Sequence, residues 1–555
     1  MNALWVGLIV ILILTAISLM VYISERQGDK RLHNKIVEQF GNAPELPDDV
    51  EFASISIPWK EIKKKENSSV YIDPITWDDL DMNEVFNRIN ACQTSIGEER
   101  LYSALHQPKF EQNEFEKREK LMDYLKANPQ TRIQIQMFLA KFGKLNYNGL
   151  YSFMDEADLK HIKHSWLYKI LSYLPICCLA LVFINLSLAI CSFICAISIN
   201  VVVYFIAKKP IEHEDAAVKY FSTMLWCSNQ ICKIKDPGLE ELQSELKENY
   251  RYFKSMSGRL SGTTQKKIAM SDMDIMREYF NIVFLVDINN YNKIIRTVSK
   301  YQENCRIIYH ILSELDLSIS VLSFRESLPV YTKPHFISSM QINLKDIYHP
   351  LLRHPVPNTV LLSNDSIITG SNASGKSTFI KALAINGILA QTINTCTARV
   401  YQTQYALVIT SMAVRDNIIA GDSYFVTELK SLKRVLDKVE DMPCICFIDE
   451  ILKGTNTIER IAASASILKY LHQKNCLVMV ASHDIELTRI LEKEYDNYNF
   501  CEQITDDGIT FDYTIKEGAS QTRNAIKLLH FMEFSGEIVD RAEKLVDQFV
   551  TTQKW

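Results

Sequence analysis

The sequence has no excess of positive charge. Its 61 lysine and arginine residues are outnumbered by 66 aspartate and glutamate residues, which gives a net charge of −5 and an isoelectric point of about 6.2. A chain that captures nucleic acid through its overall electrostatic field carries a strong net positive charge. Capture by the overall field is therefore excluded, and any contact with nucleic acid has to use a local basic patch.

The sequence also lacks a cysteine framework. Its 13 cysteines show neither the pairing of a disulfide-rich protein nor the spacing of a metal site. We interpret Cys444 and Cys446 as small apolar residues of a buried strand rather than as a metal pair. This usage is typical of free thiols in a reducing compartment. Four cysteines stand in one apolar segment, namely Cys177, Cys178, Cys191 and Cys195.

The first apolar run, residues 4–23, is uncharged and long enough to cross a bilayer as a helix. No lysine or arginine precedes it, whereas Arg26, Lys30 and Arg31 follow it. This asymmetry predicts a retained anchor that leaves the following segment in the cytoplasm. The alternative is a cleaved signal peptide, which usually has a basic start and a shorter apolar run.

A second apolar block, residues 167–207, is too long for one ordinary span. Asn185 lies near its middle, so we predict two helices joined by a tight turn. Lys160 and Lys163 precede the block and Lys208 follows it, which places both ends on the cytoplasmic side. The alternative is a buried hairpin of soluble helices, but no polar face interrupts the run. The sequence thus predicts three spans of an inner (cytoplasmic) membrane.

Residues 369–378 read TGSNASGKST and fit the pattern G-x-x-x-x-G-K-[ST]. Apolar residues within 360–368 predict a strand that enters this loop, and residues 379–389 predict a helix that leaves it. Glycines let backbone N–H groups surround a phosphate, and the helix N-terminus adds its positive end. In this loop class Lys376 holds the β- and γ-phosphates of a nucleotide, and Ser377 ligates Mg²⁺.

Two further apolar runs end in polar groups. Residues 444–448 lead into Asp449 and Glu450, and residues 477–481 lead into Ser482 and His483. An aspartate at this place helps to hold Mg²⁺, a neighbouring glutamate polarises the attacking water, and a histidine contacts the γ-phosphate. The alternatives are an acidic strand end without a role and a structural histidine. The loop upstream favours the functional interpretation.

These motifs resemble the MutS family of DNA mismatch-repair ATPases. The family's motifs T-G-P-N-x-G-G-K-S-T, G-x-S-T-F-x-x-E, D-E-x-x-x-G-T-S-T and A-T-H-x-x-E-L-T are similar to residues 369–378, 421–428, 449–457 and 481–488. Asn456 replaces a serine. The family's core motif T-x-x-G-x-R-x-L-x-x-x-L-x-x-P is similar to residues 94–108, with Arg100 one position late. His349 and Pro350 resemble the start of the family's ATPase domain.

The resemblance implies an ATP- and Mg²⁺-dependent hydrolase whose ABC-like ATPase domains pair head to tail in a homodimer. It implies catalytic roles for Glu450 and His483, and a contact of Ser423 with the γ-phosphate bound by the partner subunit. It places Ser377 and Asp449 on Mg²⁺, and Gly454 and Thr455 at the dimer junction. The implied ATP-binding residues are Gly370, Asn372, Gly375, Lys376, Ser377 and Thr378.

The sequence also departs from the family pattern. We expect a membrane span where the family has its mismatch-reading domain, and no F-x-E wedge motif precedes the core, although an inserted aromatic residue is how such proteins kink DNA. Two functions remain open. One is a membrane-anchored, repair-related ATPase that couples dimer closure to DNA binding. The other is a membrane mechanochemical ATPase that acts on a protein partner without DNA.

The sequence therefore predicts an α/β P-loop ATPase domain joined to a mainly α-helical core, with transmembrane helices. Gly258 and Gly262 break the helical pattern of residues 212–328, and we interpret the surrounding Lys254, Arg259, Lys266 and Lys267 as a solvated surface rather than a phosphate contact. The predicted segments are an anchor (1–24), a linker (25–75), a first part of the core (76–165), the hairpin (166–208), a lever-like second part (209–335) and the ATPase domain with its dimerising tail (336–555).

Overall fold

The computed structural model describes residues 3–45, 50–65, 70–156, 165–208, 212–254, 279–371, 374–412, 424–505, 508–519 and 534–552, with the single residues 526, 529 and 532. The chain divides into two compact units, each discontinuous in sequence. The helical unit comprises Met1–Asn67, Ile89–Ser103 and Glu116–Ser327, and the α/β unit comprises Ser68–Arg88, Ala104–Phe115 and Leu328–Trp555. Residues 68–88 and 104–115 thus belong with the α/β unit. The sequence predicts instead that most of them belong to the helical core.

Within the described residues, the α-helices run in chain order as α1 (Ala3–Gln39), α2 (Phe52–Ile55), α3 (Ile57–Lys65), α4 (Pro74–Asp79), α5 (Met82–Ile89), α6 (Ser95–His106), α7 (Asn113–Ala127), α8 (Pro129–Phe142), α9 (Leu150–Asp155), α10 (Ser165–Ala180), α11 (Leu186–Lys208), α12 (Glu212–Ile231), α13 (Glu240–Tyr250), α14 (Val286–Lys300), α15 (Gln302–Glu326), α16 (Lys376–Ile393), α17 (Tyr424–Asp441), α18 (Thr457–His472), α19 (Ile485–Ile490) and α20 (Gly536–Thr552).

The strands are β1 (His335–Phe336), β2 (Ile342–Ile347), β3 (Asn358–Leu362), β4 (Ser366–Thr369), β5 (Val400–Thr403), β6 (Leu407–Ser411), β7 (Cys444–Asp449), β8 (Cys476–Ala481), β9 (Asp496–Asn499), β10 (Glu502–Thr505), β11 (Gly508–Phe511) and β12 (Lys516–Glu517).

The core of the helical unit is built around α15. This helix is long and apolar enough to cross a membrane, but 78% of its apolar window is buried within the protein. Leu312, Leu315 and Leu322 are buried among the residues of this unit. The apolar character of α15 therefore reflects packing in the protein interior.

A buried carboxylate joins α15 to the start of α6. Asp316 accepts hydrogen bonds from the backbone N–H of Gln93 (3.0 Å) and from the hydroxyl of Thr94 (2.6 Å). A Cβ atom on Gly97 would lie 2.3 Å from the carboxylate oxygen Oδ2 of Asp316. The glycine of the T-x-x-G pattern is thus required because the carboxylate occupies the space of a side chain.

The predicted hairpin is present as α10 and α11, which are joined through the 3₁₀ turn Leu181–Phe183. Only 11% and 17% of their apolar windows are buried, in contrast to α15. At the tip, Phe183 is 94% exposed and Ile184 is 77% exposed. The 23 residues of α11 extend over roughly 34 Å, which matches the hydrocarbon thickness of a bilayer.

The N-terminal region differs partly from the sequence interpretation. The predicted first span lies inside α1, but the side chains of residues 3–18 lie outside the described set, so the span stays a prediction. Residues 52–65, which we assigned to a linker, form α2 and α3. Ile55 and Trp59 are buried, each 7% exposed. Apolar burial therefore orders a segment whose prolines and lysines suggested an irregular chain.

The central sheet of the α/β unit has the strand order β12-β9-β4-β8-β7-β6. Strands β9, β4, β8, β7 and β6 are parallel, and β12 is antiparallel to its neighbour β9. The inner strands β4, β7 and β8 consist mainly of apolar or small residues because they are buried along nearly their whole length. This arrangement confirms the predicted α/β class.

A second sheet has the order β1-β5-β2-β3. The predicted strand across residues 360–368 is therefore two strands, since β3 pairs with β2 in this sheet whereas β4 belongs to the central sheet. The polar residues Ser363, Asn364 and Asp365 separate them. The helix α16 follows the loop and is buried over most of its length.

Candidate functional site

The candidate site lies at the carboxyl ends of three adjacent parallel strands. In the sheet, Ala481 of β8 pairs with Ile368 of β4 on one side and with Asp449 of β7 on the other. The backbone continues this alignment, because Ser482 donates to the carbonyl of Ile368 and Glu450 donates to the carbonyl of Ala481, both at 3.0 Å. The chain segments that follow the three strands therefore emerge side by side.

The predicted phosphate loop connects β4 to α16. Gly370 has a φ of +142°, and a Cβ atom there would lie 2.4 Å from the carbonyl oxygen of Phe500. Gly375 has a φ of +100° and is the N-cap of α16. Both positions require glycine, because other residues are strained at these angles. The glycines thus shape a turn that directs the helix N-terminus toward the strand ends.

Lys376 is the first residue of α16, and its side chain is 2% exposed. Its ammonium group donates to the carbonyl oxygens of Gly370 and of Ser371, the latter at 2.8 Å. The charge is therefore held inside the loop, where phosphate oxygens of a bound anion would replace these carbonyls. Ser377 is half-buried and Thr378 is exposed at the same helix start.

Glu450 stands directly after β7 in a left-handed conformation, with a φ of +58°. One carboxylate oxygen lies 2.9 Å from Nε2 of His483, and the other is paired with the ammonium of Lys453. The first contact joins the ends of β7 and β8. A residue other than glycine at this φ indicates a local geometry that the surrounding contacts impose.

Burial and the nearby charge of Lys376 lower the pKa of His483, although Glu450 opposes this shift. The imidazole is therefore neutral at pH 7, and the 2.9 Å contact is a hydrogen bond in which Nε2–H donates to the carboxylate of Glu450. A neutral histidine fixes the position of the carboxylate without neutralising its charge.

Three supporting contacts were not anticipated from the sequence. The carboxylate of Glu428, which is 3% exposed on α17, accepts from the backbone N–H of Lys453 at 2.9 Å. Arg460 of α18 donates twice to Asp484, at 2.6 and 2.9 Å. The signal for Glu428 was available, because it ends the motif at residues 421–428, but its partner lies 25 positions further along the chain.

An aromatic side chain also lies against the loop. The ring of Tyr513 would be 3.0 Å from a Cβ atom on Gly375, and 44% of this residue is exposed. Its backbone carbonyl accepts from the amide of Asn358 at 3.0 Å. A partly exposed ring, which stacks on Phe511 with the ring centroids 5.9 Å apart, thus stands next to the phosphate loop.

The structure brings together Gly370, Gly375, Lys376, Glu450 and His483 at one edge of the sheet. Two predicted site residues, Asn372 and Ser423, lie outside the described residues. The donor set that the sequence predicts for a cation consists of the Ser377 hydroxyl and the Asp449 carboxylate. These are hard oxygen ligands, which fit Mg²⁺ when phosphate oxygens and water complete its shell.

Comparisons with known proteins agree with this geometry. Residues 366–550 match the family model described as MutS domain V. The chain is 30% identical over 272 residues to a DNA mismatch repair protein MutS of Petrotoga mobilis, covering 46% of this chain and 33% of that protein. It is 28% identical over 282 residues to the MutS protein of Ehrlichia ruminantium, with coverages of 48% and 34%. The chain thus spans about a third of the length of these curated relatives.

Proposed function

We propose that this chain belongs to the MutS family through its α/β unit, and that it is a membrane-anchored ATPase whose dimer closes on ATP. The observation that carries the proposal is the convergence of Lys376, Glu450 and His483 at the ends of three neighbouring strands. A nucleotide triphosphate needs these elements together: a cation for its phosphates, a base for water and a donor beside the transferred group.

The proposed catalytic step uses the residues in distinct roles. Lys376 and the N-terminus of α16 would bind the phosphates, while Ser377 and Asp449 would hold Mg²⁺, which would supply positive charge next to the phosphates. Glu450 orients and deprotonates the attacking water. In the structure both of its oxygens are engaged, so the contact with Lys453 has to be exchanged for the water. Tyr513, which is partly exposed beside the loop and packs against Phe511, would contact the nucleobase.

Dimer formation is proposed to complete the site. Ser423 would reach the γ-phosphate of the partner subunit, and Gly454 and Thr455 would meet the partner. An exposed apolar residue supports this location, because Ile458 is 80% exposed at the start of α18, next to these residues. Glu428 links the two motifs by binding the backbone of Lys453. A partner that packs here would therefore move both motifs together.

Membrane attachment is proposed from the hairpin. Its helices expose apolar side chains along nearly their whole length, which is costly in water and favourable in a bilayer. The hairpin is tied to the helical unit, because the amide of Asn200 donates to the carbonyls of Leu171 (2.9 Å) and Val283 (2.7 Å). The relatives carry the name of DNA mismatch repair proteins, so we propose structured or mismatched DNA as the effector of the ATPase.

A second candidate function follows from the same contacts. Because Asn200 joins the hairpin to helices outside it, a rearrangement of the helical unit would be transmitted to the membrane-facing helices. The protein would then be a mechanochemical ATPase that acts on a membrane protein partner. Its net charge of −5 is compatible with this role, since it provides no general attraction for DNA.

The variant Glu450→Gln tests the proposed function. It keeps the shape of the side chain but removes the base, so we expect hydrolysis to fall roughly a hundredfold or more while ATP is retained and the dimer accumulates. Steady-state hydrolysis and light scattering of the protein in detergent measure the two effects. Glu459→Gln, an exposed carboxylate on α18, is the matched control. Hydrolysis at the parental rate would show that Glu450 is not the base.

The second experiment uses the unmodified protein to identify the effector of the ATPase. Hydrolysis is measured alone and with matched duplex, mismatched duplex and branched DNA at several salt concentrations. A response to any of these supports the DNA-linked function. If none of them changes the rate, and a membrane protein is retained on the immobilised Glu450→Gln variant only with ATP, the second candidate is correct.

A further inference from the structure

A cavity of about 590 Å³ lies where the apolar hairpin joins the rest of the helical unit. One wall is a face of α10, and the opposite wall is a face of α14 together with the helical residues 279–284. The lining residues of α10 recur at helical spacing from Ser165 to Ile176, so they form a single stripe. All the residues that line the cavity belong to the helical unit, and none of them has a part in the proposed hydrolysis.

One end of this cavity, next to the N-terminal part of α10, is positively charged. Lys169, Lys293 and Arg296 line it, and its lining includes no aspartate or glutamate. Among the described residues, none of these three cations forms a salt bridge, and the guanidinium of Arg296 donates to the hydroxyl of Ser165. Three unneutralised cations around one concave surface attract an anion, and Ser165 adds a hydroxyl beside them.

Buried amides in the same wall lack partners. Asn292 is 5% exposed, and its Nδ2 has no hydrogen-bond partner among the described residues. Asn289 donates to the carbonyl of Tyr168 at 3.3 Å, but its Oδ1 is buried and unpartnered. A buried polar group without a partner costs free energy, so a ligand that supplies the partner binds favourably. The wall thus contains one donor and one acceptor that no described group satisfies, and a rotation of either side chain would present it to a ligand.

The other end of the cavity, next to the C-terminal part of α10, is apolar and open. Tyr173, Ile176 and Phe280 line it and are 64%, 53% and 57% exposed. Ile176 stands 11 residues beyond Ser165, so the stripe on α10 extends roughly 16 Å along the helix. Aromatic residues next to a spanning helix are typical of the boundary between the bilayer and water. The site therefore fits a molecule with an anionic polar end and a hydrocarbon end.

We propose that this cavity binds an anionic phospholipid. Lys169, Lys293 and Arg296 contact the phosphodiester, and Asn292 donates to one of its oxygens. Asn289 accepts from a headgroup hydroxyl, and an acyl chain lies along Tyr173 and Ile176. Basic pockets beside spanning helices on the cytoplasmic side are a recurrent way of binding such headgroups. This inference rests on the proposed insertion of the hairpin in a membrane.

The experiment uses the full-length protein in detergent, with short-chain phosphatidylglycerol as the probe. Native mass spectrometry and thermal unfolding measure binding and stabilisation. The test variant is Lys293→Gln combined with Arg296→Gln, and the matched control is Lys300→Gln on the same helix, outside the cavity. We expect the double variant to bind phosphatidylglycerol at least fivefold more weakly, while the control binds like the parent. Asn292→Leu, which removes the buried donor, should also weaken binding.

Three comparisons make the outcome decisive. Phosphatidylcholine should bind weakly, and inorganic phosphate or glycerophosphoglycerol should not compete at equal concentration, since they lack the hydrocarbon end. If these soluble anions compete equally, or if the double variant binds phosphatidylglycerol like the parent, the proposal is wrong. Extraction of cell membranes at high pH separates this result from a failure of membrane insertion. A protein that stays in the membrane but shows no lipid preference refutes the lipid site alone.

Discussion

The strand ends of the α/β unit and the start of α6 in the helical unit both gather polar groups, but they expose them differently. Around β4, β7 and β8, Ser377 and Glu450 are half-buried and His483 is exposed, so each can be reached by a ligand. In the helical unit, Glu99 is 4% exposed and Asp316 is fully buried, and neutral donors of the protein surround both. Accessibility, rather than the presence of acidic residues, distinguishes the candidate site from an internal support.

The two regions also treat charge differently. In the site, Glu450 is paired with Lys453, so its ionised form has a cationic partner. In the helical unit, burial raises the pKa of Glu99 to about 7 and that of Asp316 to about 6, although hydrogen bonds from Tyr309 and Thr94 oppose these shifts. Changes in the site should therefore alter chemistry, whereas changes in the helical unit should alter stability and its dependence on pH.

The largest expected effect belongs to the phosphate loop. Lys376→Ala removes the buried ammonium group that contacts Gly370 and Ser371. We expect ATP affinity to fall roughly a hundredfold to a thousandfold, because a charge-assisted contact with the phosphates is lost. Fluorescent-nucleotide titration measures this loss. Lys381→Ala on the same helix, with its exposed salt bridge to Asp81, is the control, and equal losses in both variants would contradict the assigned role.

An intermediate effect is expected from Glu99→Gln in the helical unit. The pKa of Glu99 is raised from 4.5 to about 7, so its contribution to stability is complete below pH 4.5 and is lost as the pH rises through 7. The parent should therefore lose roughly 2 kcal/mol relative to the variant between pH 5 and pH 8. Chemical unfolding of both proteins at the two pH values measures the difference. A difference that does not depend on pH would show that Glu99 ionises normally.

The sequence predicted the features whose signals are local in the chain, and it did not predict those that depend on contacts between distant segments. The loop, its helix and the strands before Asp449 and His483 were predicted because their signals lie within about ten consecutive residues. The contact of Glu428 with Lys453 was missed because it depends on how α17 approaches β7. The separation of β3 from β4 was also missed, although three polar residues mark it, because a short polar gap does not reveal which sheet each half joins.

The helical unit shows the same limit on a larger scale. The apolar hairpin was predicted because its two helices have no polar side, which is a local property of the sequence. The assignment of residues 68–88 and 104–115 to the α/β unit follows from tertiary contacts. One example is Asp79, whose carboxylate accepts from the hydroxyl of Thr410 at 2.7 Å and from the backbone of Met412 at 3.0 Å. Nothing near Asp79 in the sequence indicates partners more than 300 positions away.

The smallest expected effect tests whether the start of α6 is a support rather than a site. In Gly97→Ala the new Cβ would lie 2.3 Å from Oδ2 of Asp316, so the carboxylate or the helix has to shift. Because the carboxylate also holds the N–H and hydroxyl of Thr94, we expect a loss of about 1–2 kcal/mol in the free energy of unfolding. Nucleotide affinity should stay at the parental value.

The control for this change is Gly28→Ala in α1, where a Cβ atom would meet nothing within 4 Å. That variant should be more stable than the parent by roughly 0.5–1 kcal/mol, since alanine favours a helix over glycine. If Gly97→Ala lowers the free energy of unfolding and Gly28→Ala raises it, the loss is caused by the clash with Asp316 and not by the replacement of a glycine. A tenfold loss of ATP affinity in Gly97→Ala would instead show that this buried cluster takes part in nucleotide binding, and the distinction between support and site would not hold.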